Sequence, residues 1–299
     1  MGNEIEKLQK IIDKSDNIVF FGGAGVSTES GIPDFRSPDG LYNQQYKYPP
    51  ETIISHSFYQ RYPEEFYRFY KDKMLYPDAE PGITHLALAK LEKEGKLKAV
   101  ITQNIDGLHQ KAGSSNVIEL HGSVLRNYCE RCHKFYGIDK IINSEGVPMC
   151  DCGGRIKPDV VLYEEGLDDN NITNAVNYIR HADMLIIGGT SLGVYPAAGL
   201  IDYYRGDKLV LINKSGSGSP FVYKLSDTIC SVISSSAIFP SFTVIVTLTS
   251  PLPNPSALAV YSPSLTPVSV CSVFDEPLEQ ATNDKASTLV KTDTNNFFI

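Results

Sequence analysis

Short, largely apolar runs alternate with amphipathic segments along the first two thirds of the chain. The apolar runs lack the strict alternation of a half-buried strand, so they are predicted to be strands covered on both faces. These runs are residues 18–21, 97–102, 117–120, 184–187 and 209–212. The segments with helical spacing are residues 3–14, 84–94 and 172–180. Strands that alternate with helices predict an α/β fold with a doubly wound, Rossmann-like parallel sheet.

Two segments interrupt this alternation and predict a smaller inserted module. Residues 41–78 are rich in Tyr and Phe and are broken by Pro49, Pro50 and Pro63, which predicts short helices packed beside the sheet. Most of the aromatic side chains are interpreted as core residues. Residues 126–155 contain four of the six cysteines, and they form the second part of the module.

The four cysteines form two close pairs, Cys129-x2-Cys132 and Cys150-x-Cys152, with 17 residues between them. Two such pairs of thiolates suit tetrahedral zinc, and no ligand position is left for water, so the predicted site is structural. Disulfides are the alternative, which a reducing cytosol disfavours. A zinc ribbon can also bind nucleic acid, but the basic residues of this segment are matched by acidic ones.

The composition changes at residue 216. Residues 216–299 contain no Arg and are dominated by Ser, Thr, Pro and Val, with poor helical periodicity and no chemical motif. We predict that this atypical tail is disordered or loosely β-prone. A change in reading frame within the gene is one hypothesis for so abrupt a break.

Charge and the N-terminal segment limit the class of protein further. The formal net charge of −8 disfavours a general nucleic-acid binder. Residues 1–14 are charged and amphipathic, unlike a secretory signal, and no run reaches the roughly 18 apolar residues that span a membrane. We therefore expect a cytoplasmic protein that binds neither nucleic acid nor a membrane. We also expect a monomer.

A glycine cluster follows the first predicted strand. Gly22, Gly23 and Gly25 lead into small polar residues, which is typical of a turn that cradles a phosphate group. The spacing differs from G-x-G-x-x-G, and a tight turn with no ligand is the alternative. Residues 31–36 then place a proline, an acid, an aromatic ring and a guanidinium in a loop that can fold over a bound dinucleotide.

Polar residues also follow the other predicted strands, at the edge of the sheet where α/β proteins bind ligands. They lie at residues 103–107, 121–123, 188–191 and 213–215. His121 is placed at a strand end and precedes a glycine, and a neutral imidazole there can accept a proton from a sugar hydroxyl. The other histidines are interpreted as surface or packing residues.

The segments GAGVSTESGIPDFR, TQNID, HG and GTS, together with the cysteine pairs, occur in this order across residues 17–215. This series resembles the sirtuins, which are NAD-dependent protein-lysine deacylases. The resemblance implies a catalytic core over residues 1–215 and one structural Zn²⁺. It also implies NAD as co-substrate, with the acetyl group of an acetylated lysine-bearing protein passing to ADP-ribose as nicotinamide is released.

The resemblance implies catalytic roles for Asn104, Asp106 and His121, with His121 as the general base. The residues implied to contact NAD are Gly23, Ala24, Gly25, Ser27, Asp34, Phe35, Arg36, Gln103, Asn104, Ile105, Asp106, His121, Gly189, Thr190, Ser191, Asn213 and Lys214. Those implied to pair with a substrate peptide are Val160, Val161, Leu162, Tyr163 and Val194.

The residue at position 70 indicates which acyl group is removed. Sirtuins that prefer acidic acyl groups carry Tyr-x-x-Arg in the helical insertion, whereas this chain has Tyr67 followed by Tyr70. A buried carboxylate without a guanidinium partner is costly, so we expect deacetylation rather than desuccinylation. Two other functions stay open: an ADP-ribosyltransferase that uses the same site, and a catalytically impaired binder of NAD or acyl peptides that lacks the closing elements of the core.

Overall fold

The computed structural model describes residues 2–35, 40 and 46–213, and the backbone of two further strands between residues 230 and 247. Arg36 and Lys214, two of the residues implied to contact NAD, lie outside the described residues. So does residue 216, where the composition changes.

A seven-stranded sheet forms the larger part of the fold. Its strands are β1 (Ile18–Gly22), β2 (Leu97–Thr102), β3 (Val117–Glu119), β7 (Met184–Gly188), β8 (Lys208–Asn213), β9 (Cys230–Ser234) and β10 (Thr243–Thr247). The order is β3-β2-β1-β7-β8-β10-β9, and the first five strands are parallel. The predicted doubly wound parallel sheet is confirmed. β10 pairs with β8 in the antiparallel direction, and β9 pairs with β10 in the same way.

Helices cover both faces of this sheet. Their bounds are α1 (Gly2–Asp13), α5 (Ile83–Lys93), α6 (Leu108–Lys111) and α8 (Asp169–His181), with a 3₁₀ helix at Ala197–Tyr203. In β1, Val19 and Phe21 face a core shared with α8, whereas Ile18 and Phe20 face a core shared with α1 and α5. Because alternate residues enter different cores, the central strand is apolar throughout. No helix among the described residues is long and apolar enough to cross a bilayer.

The inserted segments form one module with a core of its own. Its helices are α2 (Pro50–Ile53), α3 (His56–Arg61), α4 (Pro63–Lys73) and α7 (Ile138–Ile142). A three-stranded sheet completes it, with β4 (Gly122–Cys129) between β5 (Phe135–Tyr136) and β6 (Ile156–Val160). Tyr59, Phe66 and Tyr67 of the helices pack with Ile141 and Ile156, so most of the aromatic side chains of these helices are core residues, as predicted, although Tyr62 is exposed.

Two glycine turns touch where β1 and β7 end side by side. The backbone N–H of Gly25 donates to the carbonyl oxygen of Gly189 at 2.8 Å. Gly189 has φ +59°, and a Cβ atom there would lie 2.4 Å from the nitrogen of Val26. A Cβ atom on Gly25 would lie 2.8 Å from the Cα of Gly189. Contact between the two turns therefore requires glycine at both positions, whatever ligand the turns bind.

We expect Gly189→Ala to lower the free energy of unfolding by roughly 2–4 kcal/mol, because it adds a clash to an unfavourable φ. Gly166→Ala is the matched control, since a Cβ atom at Gly166 would meet nothing within 4 Å. That control should change stability by no more than about 0.5 kcal/mol. Urea unfolding measures both values, and equal midpoints for the two variants would contradict the expected contact.

Candidate active site

The carboxyl ends of the parallel strands bring the predicted polar segments together. Gly22, at the end of β1, is in register with Thr102 of β2 on one side and with Gly188 of β7 on the other. Gly188 is in turn in register with Ile212 of β8. The residues that follow these four positions therefore share one edge of the sheet, which is the usual ligand-binding edge of such folds.

Three of the predicted site residues form one hydrogen-bonded network at this edge. The Ser27 hydroxyl donates to Oδ2 of Asp106 at 2.6 Å and accepts from Nδ2 of Asn104 at 2.9 Å. The other oxygen of Asp106 accepts from the backbone N–H of Leu108 at 2.9 Å. Ser27 and Asn104 are buried. Residues separated by almost 80 positions in the sequence thus fix one another's side-chain orientation.

The glycine turn differs in one respect from a phosphate cradle. The backbone N–H groups of Gly23 and Gly25 donate to the carbonyl oxygens of Gly188 and Gly189, at 3.2 and 2.8 Å. Residues 24–26 form one turn of 3₁₀ helix rather than the start of a long helix. These glycines therefore shape the turn, and their amides are already bonded to the protein.

A second group of polar contacts surrounds Thr190, which is buried. Its hydroxyl oxygen accepts from Nε2 of Gln103 at 3.4 Å and from the backbone N–H of Leu192 at 3.2 Å. Its carbonyl oxygen accepts from Nδ2 of Asn213 at 2.8 Å. The structure thus joins three predicted site residues from different strand ends, while Ser191 beside them is exposed.

The loop after the glycine turn begins at Gly31, which has φ +81°. Ile32 is held back toward the turn, because its N–H donates to the carbonyl oxygen of Ser27 at 3.2 Å. Asp34 and Phe35 follow and are partly buried. The start of the loop is therefore held beside Ser27.

His121 follows β3 and is partly buried. Its Nδ1 lies 3.0 Å from the carbonyl oxygen of Gln103. A carbonyl oxygen can only accept, so Nδ1 carries the proton and Nε2 keeps its lone pair. Burial lowers the pKa of the His121 imidazole below its ordinary value, against the smaller opposing effect of the bond to Gln103. The ring is therefore neutral at pH 7 and can act as a base through Nε2.

The backbone of His121 is joined to the segment predicted to bind a peptide. Gly122 is in register with Val160, and the N–H of Val161 donates to the carbonyl oxygen of His121 at 3.0 Å. Val160 and Leu162 are buried, whereas Tyr163 is exposed. Val194 lies apart in sequence, in the loop that follows β7, and is partly buried.

The four cysteines meet at one point of the inserted module. The Sγ atoms of Cys129 and Cys152 are 3.4 Å apart, those of Cys132 and Cys150 are 3.6 Å apart, and all four lie within 4.8 Å of one another. Ligands about 2.3 Å from a tetrahedral zinc ion lie about 3.8 Å from each other, so the cluster fits that ion.

Hydrogen bonds favour the thiolate form of Cys150 in this cluster. The backbone N–H of Cys152 and the hydroxyl of Tyr136 donate to the sulfur of Cys150, at 3.5 and 3.0 Å. Together they lower the pKa of the Cys150 thiol to about 6. The backbone N–H of Gly154 lowers the pKa of Cys152, but the neighbouring thiols outweigh it and raise that pKa to about 12. A bound cation would offset this repulsion, since the thiolate is the form that binds metal.

Comparisons with known proteins decide the family. The model of the Sir2 family matches residues 23–196. An NAD-dependent protein deacetylase of Clostridium perfringens is 66% identical over 221 residues, which cover 73% of this chain and 91% of that protein. The chain belongs to the Sir2 family. A second relative with the same name, from Staphylococcus aureus, is 49% identical over 72% of this chain and 89% of its own length.

Solved Sir2 structures have the same fold as this Sir2-family chain. A complex of Sir2 with a p53 peptide and NAD⁺ is 42% identical, with a TM-score of 0.64, and the match covers 72% of this chain and 88% of that one. A complex with a deacetylated p53 peptide and 3′-O-acetyl ADP-ribose is also 42% identical, with a TM-score of 0.66 and coverage of 72% and 88%. The family match contains the network of Ser27, His121 and the four cysteines.

An ion-pair group near His121 in this Sir2-family site was not predicted from the sequence. The Arg126 guanidinium donates to Glu119 at 2.6 Å and to Asp159 at 2.7 Å. Glu119 is buried and also accepts from Gln110 at 2.8 Å. Arg126 thereby joins the end of β3 to β6 of the inserted module. The one signal in the sequence was an acidic residue inside the apolar run 117–120.

Proposed function

We propose that this chain is an NAD-dependent protein deacetylase, which transfers the acetyl group of an acetylated lysine to ADP-ribose and releases nicotinamide. The observation that carries the proposal is the position of His121. Its ring is held as a neutral base at the sheet edge, and its backbone is bonded to the segment that would receive a peptide. The shared name of the curated relatives supports the same activity.

NAD, when bound, supplies the ribose that accepts the acetyl group and the nicotinamide that leaves. The turn at residues 23–27 would lie next to the pyrophosphate of NAD. The loop with Asp34, Phe35 and Arg36 would fold over the bound dinucleotide. Thr190, Ser191, Asn213 and Lys214 would hold the adenosine half. Since the amides of Gly23 and Gly25 are bonded to the carbonyl oxygens of Gly188 and Gly189, these glycines would act by permitting close approach of the ligand.

The residues proposed to take part in the reaction are His121 and the hydrogen-bonded network of Ser27, Asn104 and Asp106. Nε2 of His121 would take the proton from a ribose hydroxyl, while the bond from Nδ1 to Gln103 holds the ring in place. Asn104 and Asp106, fixed by Ser27, would orient the nicotinamide and ribose groups together with Ile105. Phe35 would keep water away from the reacting sugar.

A substrate peptide would add as a strand along residues 160–163, with Val194 on its other side. Main-chain hydrogen bonds dominate such pairing, so little selectivity for the flanking sequence is expected. Val161 is bonded to His121 through the backbone. This connection would place the acyl-lysine next to the base.

The four cysteines would hold one structural Zn²⁺. The close sulfur contacts and the donated N–H groups support this assignment. Since all four ligands come from the protein, the ion would stabilise the module and take no part in the reaction. The module core includes Cys129 and Cys150, so the ion would be tied to the packing of the helices.

Acetyl-lysine peptide and NAD should give equal amounts of deacetylated peptide and free nicotinamide. Replacing His121 with Ala should reduce this turnover by at least about 100-fold, because the general base is lost. Liquid chromatography with mass detection measures both products. His181→Ala, which alters an exposed histidine bonded to its own helix, is the matched control and should keep full activity.

The same assay separates the alternatives. ADP-ribose attached to a protein, without free deacetylated lysine, would favour the transferase. No turnover by the intact chain, with NAD or acyl peptide still bound, would favour the impaired binder. Full activity in the His121→Ala variant would contradict the proposed base.

The pH dependence should follow the protonation of His121. The base must be neutral, and burial lowers its pKa, so kcat/KM should fall only as the pH drops below the ordinary histidine value of about 6.5. Between pH 7 and 8 the value should be flat. Steady-state rates in a constant-ionic-strength buffer test this, and an acid limb centred above 6.5 would contradict it.

The acyl preference should favour acetyl over succinyl by at least about tenfold, because a succinyl carboxylate would lack a cation at Tyr70. Tyr70 is buried, and the neighbouring Arg68 is exposed and paired with Glu65 at 2.6 Å. Turnover of one peptide carrying either acyl group measures the ratio. Tyr70→Phe is the control and should leave it unchanged, whereas faster desuccinylation would refute the preference.

A further inference from the structure

The segment that follows β6 is fastened to the start of α3 by the main chain. The N–H of His56 donates to the carbonyl oxygen of Tyr163 at 2.9 Å, and the N–H of Tyr163 donates to that of Ile54 at 3.1 Å. These bonds form a parallel bridge between Ser55 and Tyr163. The proposed peptide edge therefore ends on the helical part of the module.

Glu164 strengthens this attachment from an unfavourable backbone conformation. Its φ is +75°, a region that favours glycine. Its carboxylate accepts from the backbone N–H of Ser57 at 2.8 Å and from the Ser57 hydroxyl at 3.0 Å. The two bonds to α3 offset the strain and hold the turn in the observed shape.

Glu165 makes a second set of contacts, which join residues 160–163 to α3 on one side and to β6 on the other. One oxygen lies 2.8 Å from Nδ1 of His56. The other accepts from the backbone N–H of Leu162 at 2.9 Å and from Nζ of Lys157 at 3.1 Å. The Lys157 ammonium also donates to the carbonyl oxygen of Val160 at 3.1 Å. Each carboxylate therefore has partners from outside its own turn.

We propose that Glu164 and Glu165 act as a carboxylate clasp, the pair of positioning residues that holds residues 160–163 ready to pair with an acyl-lysine peptide. This inference rests on the proposed function. A strand that is already ordered does not have to be ordered when the peptide binds, so the clasp improves affinity without touching the peptide. Loss of the clasp would raise the apparent Kd in proportion to the fraction of molecules in which the edge is misplaced.

Glu165→Gln removes the charge that binds His56 and Lys157, and Glu164→Ala removes both bonds to Ser57. Each should raise the Kd of a fluorescein-labelled acetyl-lysine peptide by about fivefold to tenfold, by reducing the ordered fraction of the edge. The KM for NAD should stay within about twofold, because the bonds of Glu164 and Glu165 join parts of the inserted module and not the strand ends proposed to hold NAD. Glu94→Gln, an exposed carboxylate near Lys90 on α5, is the matched control and should match the wild type.

Hydrogen–deuterium exchange of the free protein supplies a readout that needs no peptide. Backbone amides of residues 161–163 should exchange faster in both clasp variants than in the control, while those of β1 should not change. If the wild type binds no acetyl-lysine peptide, the proposed function is wrong. If it binds the peptide and the clasp variants bind equally well, or their exchange is unchanged, the clasp is wrong. Should Glu165→Gln not fold, Glu164→Ala alone decides.

Discussion

The hydrogen bonding of β1 between β2 and β7 is the constraint on which the rest of the structure depends. All three strands run in the same direction and are in register at their carboxyl ends. Because both faces of β1 are buried, its position can shift neither along nor across the sheet without exposing core residues. The candidate active-site segments that begin at Gly23, Gln103 and Gly189 each start where one of these strands ends. The strand pairing, rather than any loop, therefore sets the distances among Ser27, Asn104 and Asp106.

The inserted module supplies the strand segment to which a substrate peptide is proposed to bind. Its core combines the aromatic residues of α3 and α4 with apolar residues around the cysteines. β4 begins directly after His121, and β6 pairs with β4, so the proposed peptide edge and the proposed base lie beside each other at the start of the module. Arg126 reinforces this junction by bonding Glu119 on one side and Asp159 on the other. The side chains of Arg126 and Asp159 are more than a third exposed, so their ion pairs contribute modestly to stability. The main-chain pairing of β4 with β6 therefore provides most of the stability of this junction.

Much of the fold could be predicted from the sequence because its strands are apolar in continuous runs. The runs at residues 97–102, 184–187 and 209–212 coincide with β2, β7 and β8 to within one residue at either end. The aromatic segment was also identified as core. What the sequence did not indicate was the use of the Gly23 and Gly25 amides, because a glycine cluster looks the same whether its N–H groups meet a ligand or a neighbouring turn.

The chain's local chemistry was determined by sequence alone: which apolar runs form the five parallel strands, which cysteines lie close enough to share a metal, and which histidine follows a strand end. These depend on the identity and spacing of neighbouring residues. Only the tertiary structure decided the partners across long separations, such as Ser27 with Asp106 or Glu165 with His56. It also decided that His121 carries its proton on Nδ1, since the Gln103 carbonyl is brought beside the ring by strand pairing. No local pattern encodes such contacts, because they arise from the packing of elements distant in the chain.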